Sequence, residues 1–396
     1  MDAKSPHYFD YNATSPLEPA VWEAMEPFLK THYGNPSSFH QAGRTAARAI
    51  KTARKQTAAM LGASEQEIIF TSGGTESNNA ALRSALAFSK GRREIVTSSV
   101  EHSSIRKLCA QLSREGYTIK EAGVDARGLF KVEEFRAAVS DQTAVVTLMM
   151  VNNETGVIFP VGEAAKIAKA HGAYVHVDAV QAVGKYPVSL RESPVDFLSL
   201  SAHKFYGPKG VGALFVKKAV LFQPFIFGGS QERGRRAGTE NVPGIVGLGL
   251  ASELVQKQLQ QDIRQLSLMR DEFEKNVCGT IPDVFVNGRD VKRICNTSNL
   301  CFRNTDGEAL LIALDQKGLC ASSGSACMSG SREPSHVLKA MGLSDDEANA
   351  SIRFSFGRGT IQQEIQILVE ALREIVARLR SLQLNRHQPH GSGVAR

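Results

Sequence analysis

Between residues 68 and 216, short β-branched runs alternate with stretches whose apolar positions recur every three to four residues. That switching of periods predicts stacked β-α-β units around a mostly parallel, buried sheet. The predicted strands are 67–71, 94–98, 144–150, 173–177, 197–201 and 212–216. Ahead of them, residues 41–61 set Ala46, Ala49, Ile50, Ala53 and Met60 roughly on one face, the pattern of an amphipathic helix. From about Ala251 the pattern changes to a long charged helix, strands near 283–286 and 297–302, and a helix over 307–316. A closing helix from Ile361 carries an apolar stripe at Ile365, Leu368, Leu372, Ile375, Leu379 and Leu382. The expected organisation is a large domain over 16–255, a small α+β domain from 1–15 and 256–385, and a disordered tail over 386–396.

Composition narrows the function classes. No apolar run approaches the roughly 20 residues of a membrane-spanning helix, and the first residues, Met1-Asp2-Ala3-Lys4-Ser5-Pro6, carry no apolar signal segment, so a cytoplasmic protein is expected. The net charge of +7 is spread over helical faces such as Arg44, Arg48, Lys51, Arg54 and Lys55. Such faces read as solvated, which argues against nucleic acid as a partner. Six cysteines without a C-x-x-C pair argue against a structural metal or a disulfide framework, and His387 and His390 in the tail make a poor metal cage. Free thiols are expected.

Polar clusters stand at the carboxyl ends of the predicted strands, where open α/β sheets bind ligands. Asp178-Ala179-Val180-Gln181 follows one strand and Ser201-Ala202-His203-Lys204 ends the next. A lysine and a carboxylate beside one pocket suit pyridoxal phosphate, whose aldehyde needs an amine and whose ring nitrogen needs an anion. A lysine there loses solvation, which frees its amine for imine formation. On residue type alone Asp178 also reads as a helix N-cap. Ser72-Gly73-Gly74-Thr75 leads into a helix whose N-terminus suits one phosphate, although taken alone the segment reads first as a simple helix cap formed with Thr75 and Asn78. His102 is placed to stack on a flat ligand or to sit solvated in a loop. Asn153 offers an amide to a ring hydroxyl or merely makes a turn. Cys327 is surrounded by small residues from Ala321 to Ser331, so an exposed, reactive thiol is expected ahead of a packed one.

Eight ordered segments together make the chain resemble the cysteine desulfurases of the class V aminotransferase family, of the NifS/IscS type. They are Tyr8 to Thr14, Tyr33 to Ser38, the glycine turn, Asn152 to Gly156, Asp178 to Gln181, Ser201 to Lys204, Gly234 to Asn241, and the Cys327 loop with Ile352 to Ser355. The resemblance implies a pyridoxal phosphate-dependent fold type I homodimer, with a mostly parallel mixed sheet flanked by helices plus a smaller α+β domain. It implies that Lys204 holds the cofactor, Asp178 faces the ring nitrogen, His102 stacks on the ring, and Asn153 and Gln181 approach its substituents. Gly74, Thr75, Ser201 and His203 are implied phosphate contacts, with Thr239 reaching in from the second subunit. Arg353 is implied to grip the carboxylate of L-cysteine, and Cys327 to accept sulfur as a persulfide for a scaffold protein that assembles iron-sulfur clusters. A selenocysteine lyase or another β-eliminating enzyme of the fold is the nearest alternative. A catalytically silent cofactor-binding scaffold is the alternative from another class.

Overall fold

The computed structural model describes residues 6–323 and 333–386. Cys327 and the tail from residue 387 lie outside the described residues. Thirteen strands are described: β1 (His7–Tyr8), β2 (Ile68–Thr71), β3 (Glu94–Ser98), β4 (Thr118–Ala122), β5 (Thr143–Met149), β6 (Tyr174–Asp178), β7 (Phe197–Ser201), β8 (Gly212–Val216), β9 (Val284–Val286), β10 (Thr297–Phe302), β11 (Leu319–Cys320), β12 (Ser322–Ser323) and β13 (Ser351–Ser355). The main sheet has seven of them, in the order β2-β8-β7-β6-β5-β3-β4. Pairing is parallel from β7 through β4, and β8 is antiparallel to both of its neighbours. Only β8 therefore runs against the other six, and the carboxyl ends of those six share one edge.

The predicted periods explain how the sheet is covered. β5, β7 and β8 are buried at every position, as strands with helices on both faces must be. One face packs Ile95, Val145, Phe197 and Leu214 against the helices Gly74–Ala87 and Ser103–Arg114 through Leu82, Ile105 and Leu112. The other packs Phe70, Val96, Leu148 and Leu200 with the helix Gln41–Leu61 and the start of the helix Val242–Thr280. A separate apolar cluster joins Phe9, Phe273, Leu300, Phe354 and the stripe Ile365, Leu368, Leu372 and Ile375 of the closing helix Gln362–Arg386. Leu382 lies half exposed beyond the end of that stripe.

Arg54 corrects the expectation that its helix carries only solvated charges. It is buried and forms a two-pronged ion pair with Glu232 at 2.5 and 2.8 Å, while Glu232 also accepts from Phe70 N at 2.9 Å. The bridge fastens the segment 230–238 onto β2.

Candidate active site

The shared sheet edge opens into a cavity of about 330 Å³. Ten of the predicted site residues line it: Gly74, Thr75, His102, Asn153, Asp178, Gln181, Ser201, His203, Lys204 and Arg353. Parallel pairing brings them there. β5 ends before Asn153, β6 ends on Asp178, β7 ends on Ser201, and the turn Ala202–Lys204 follows directly. Thr239 is exposed and stands apart from this cavity in the single chain.

Gly73 enters the helix Gly74–Ala87 at φ 151°, a conformation open to glycine. A Cβ on Gly74 would meet Val180 Cγ2 at 2.6 Å, so glycine alone lets this helix start approach the turn after β6. The unpaired N–H groups of the first turn thus face a region also lined by Ser201 and His203. Burial pushes the His203 imidazole down to about 4, with Lys204 adding repulsion, so a neutral ring stands at this end of the site. Its Nδ1 lies 3.1 Å from Thr14 Oγ1.

Asp178 is 8 % exposed. Its Oδ2 accepts from Asn78 Nδ2 at 2.8 Å and its Oδ1 from Val180 N at 3.0 Å, and no basic side chain pairs with it among the described residues. The Val180 contact is the local cap that residue preference anticipates, yet the carboxylate still lines the cavity. Lys204 Nζ donates to two backbone carbonyls, Asn12 O and Ala13 O, both at 2.7 Å. His102 caps the helix Ser103–Arg114 by accepting from Ser104 N at 3.2 Å, which fixes the edge of its ring beside the cavity. Arg353 is 3 % exposed. Its Nη2 donates to Asp10 Oδ1 at 2.7 Å and its Nη1 to Asn153 O at 3.1 Å, leaving Nε buried without a partner among the described residues.

Three contributors escaped the sequence reading. Asn78 holds Asp178, although the sequence offered Asn78 only a capping role. Asn12 joins Lys204, Gln181, Asn296 and Thr297 through its backbone and amide. Lys185 lies buried behind Gln181. Asn12 belonged to a recognised segment, but nothing local singled it out. Among the described residues no cluster of His, Cys, Asp and Glu has the arrangement of a metal site, and no helix is long and apolar enough to cross a membrane.

Residues 7–368 match the sequence profile described as Aminotransferase class-V. The chain belongs to the class V aminotransferase family. Among its relatives, a cysteine desulfurase of Nostoc sp. is 50 % identical over 375 residues, covering 95 % of this chain and 94 % of that protein. A cysteine desulfurase of Cereibacter sphaeroides is likewise 50 % identical, over 377 residues, with 95 % and 97 % covered. Of the solved structures, one described as a NifS-like protein superposes with a TM-score of 0.89 at 36 % identity, over 94 % of this chain and 100 % of that one. Another, described as SspA in complex with cysteine, gives 0.80 at 35 % identity over 90 % and 100 %. The fold is thus that of NifS-like enzymes of the class V family, which depends on pyridoxal phosphate. The residues present fit that cofactor: a buried carboxylate lacking a cation, a lysine amine on the same cavity, and a glycine-built helix start.

Proposed function

We propose that this class V enzyme is a cysteine desulfurase, converting L-cysteine to L-alanine and leaving the sulfur on Cys327 as a persulfide. The observation that carries the reading is the convergence of Lys204, Asp178 and Arg353 on one cavity, in a chain half identical to proteins named cysteine desulfurase. Bound pyridoxal phosphate supplies an aldehyde for the amine and a ring that withdraws electrons from Cα.

The protein's own groups divide the remaining work. Lys204 Nζ holds the cofactor and then moves the Cα proton as a general base. Asp178, already held by Asn78, would face the ring nitrogen. His102 would stack on the ring, and Asn153 and Gln181 would approach its substituents. Gly74, Thr75, Ser201 and His203 hold the phosphate through N–H and side-chain contacts, and Thr239 completes that site from the second subunit of a homodimer. Arg353 orients the substrate carboxylate with its planar fork. The Cys327 thiolate attacks the substrate sulfur: an S–S bond forms, the Cβ–S bond breaks with its electron pair kept by carbon, and protonation of carbon yields alanine. A small domain of 1–15 and 256–385 carries the Cys327 segment, and the persulfide passes to an iron-sulfur scaffold protein in the cytoplasm.

The decisive experiment incubates the reconstituted enzyme and Cys327→Ser with L-cysteine, and follows alanine release and the mass of the peptide carrying residue 327. The reading expects alanine and a persulfide of one added sulfur from the parent, with both lost in the variant. Alanine release at the parental rate by Cys327→Ser would contradict the role given to Cys327, and release of pyruvate, ammonia and sulfide in place of alanine would favour a β-eliminating enzyme. Binding of the vitamin with no alanine from either protein would favour a silent scaffold.

A further inference from the structure

Seven residues beyond Asp178, Lys185 lies 7 % exposed behind the cavity wall. Its Nζ donates to Gln181 Oε1 at 2.8 Å and to Asn12 Oδ1 at 3.2 Å, and no carboxylate pairs with it among the described residues. The charged or titratable groups that face it are Lys204, Arg353 and the Cys295 thiol. Burial, with repulsion from Lys204, pushes its amine down to about 7. In the ammonium form it has three N–H groups and as a neutral amine two, so either form can satisfy both acceptors.

What Lys185 contributes is direction. A glutamine or asparagine side chain can turn either its oxygen or its NH2 toward a neighbour, and only the surrounding donors and acceptors decide which. Lys185 presents N–H to Gln181, so the glutamine oxygen faces it and Nε2 turns to Asn12 O at 2.9 Å. Lys185 and Asn296 Nδ2 both present N–H to Asn12 Oδ1, so Asn12 Nδ2 turns to Thr297 Oγ1 at 2.8 Å. The backbone carbonyl of Asn12, which the oriented Gln181 Nε2 grips, is shared with Lys204 Nζ.

We propose that Lys185 is a positioning residue: as a donor to both amides it locks Gln181 and Asn12 in single orientations, and through Asn12 it sets where the Lys204 amine stands. The inference rests on the reading in which Lys204 carries the cofactor. An apolar side chain here would fill space without choosing between the two ends of either amide.

The test reconstitutes Lys185→Met and Lys185→Gln with pyridoxal phosphate at matched occupancy and compares kcat, KM, thermal melting and the visible circular dichroism of the bound cofactor. Misplacement of the amine predicts a kcat loss of about tenfold or more in Lys185→Met, with KM for L-cysteine within about threefold because Arg353 grips the carboxylate separately. The dichroic band falls by about half or more, since it reports the asymmetry of the ring's surroundings. Lys185→Gln, which can turn either end of its own amide to Gln181, falls between parent and Lys185→Met. If Lys185→Met does not fold, Lys185→Gln decides alone. A folded variant whose kcat and band match the parent within twofold, even with a lowered melting temperature, overturns the proposal. Borohydride reduction of the parent followed by peptide mass analysis asks separately whether the cofactor sits on Lys204. A miss there sinks the proposed function, whereas a Lys204 adduct with a band indifferent to residue 185 sinks only this inference.

Discussion

Asn78 hands Asp178 a hydrogen bond of 2.8 Å from the first turns of a helix to the last residue of β6. The amide fixes a carboxylate that has no cation of its own among the described residues, so the pair is prepared for a positively charged ring nitrogen. Asp178→Asn should lower alanine release at least about tenfold, the equivalent of losing a charge-assisted hydrogen bond worth ~1.5 kcal/mol. It should also weaken cofactor binding, measured by titrating apoenzyme with pyridoxal phosphate. A variant that keeps the parental rate and affinity contradicts the role given to Asp178.

Arg353 spends one nitrogen on Asp10 and another on Asn153 O, which sets the plane of its fork before substrate arrives. Arg353→Lys keeps a charge and loses that plane. KM for L-cysteine is expected to rise about 10- to 100-fold, the range of one to two charge-assisted contacts. Steady-state kinetics in cysteine check it, and an unchanged KM would move carboxylate recognition elsewhere.

Glu101 is fully buried beside the cavity's His102, with Oε1 accepting from Ser98 Oγ and Met149 N and Oε2 without a partner among the described residues. Burial pushes its carboxyl from 4.5 up to about 8. Between those values the folded protein keeps a proton that the unfolded chain has released. The contribution is therefore whole below the lower value and drains as pH rises toward the upper one. Glu101→Gln removes this slope. From pH 5 to pH 8 the parent should lose melting temperature relative to the variant, and parallel curves would show that Glu101 does not titrate in that window.

Arg54→Ala strands Glu232 as a buried, unpaired carboxylate and should cost about 3–5 kcal/mol in denaturant unfolding. Arg54→Met combined with Glu232→Leu should recover part of that loss, because the charge is removed along with its partner. A loss below ~1 kcal/mol in the single variant would mean that the pair is solvated in solution.

Most of the sheet was readable because its strands are apolar on both faces: the bounds expected for 94–98, 197–201 and 212–216 are those observed. β4 was missed for the opposite reason, since Thr118 and Glu121 are exposed at the sheet edge and leave no apolar run. Lys204 and Asp178 announced themselves by standing at the ends of predicted strands, whereas Arg353 was singled out only by the resemblance of its segment. Asn12, Asn78 and Lys185 did not, because each acquires meaning from a partner: Asn78 from Asp178 100 residues away, and Asn12 from Lys204 192 residues away. Lys185 is close to Gln181 in sequence, yet its value depends on the same distant Asn12. Arg54 looked like any other helical arginine until folding set Glu232 against it.

The two carbonyls that hold the Lys204 amine belong to the start of the chain, and that start is stitched in place by its far end. β1 pairs with β11, Ser355 N donates to Phe9 O, and Asn12 N donates to Ser355 Oγ. A ribosome delivers residue 12 well before residue 355, which lies 343 residues further along. The β-sheet framework can assemble during synthesis, but the amine's cradle must wait until translation has supplied the last strand. The cradle of the Lys204 amine is therefore complete only once the strand that carries Ser355 has joined the segment around Asn12.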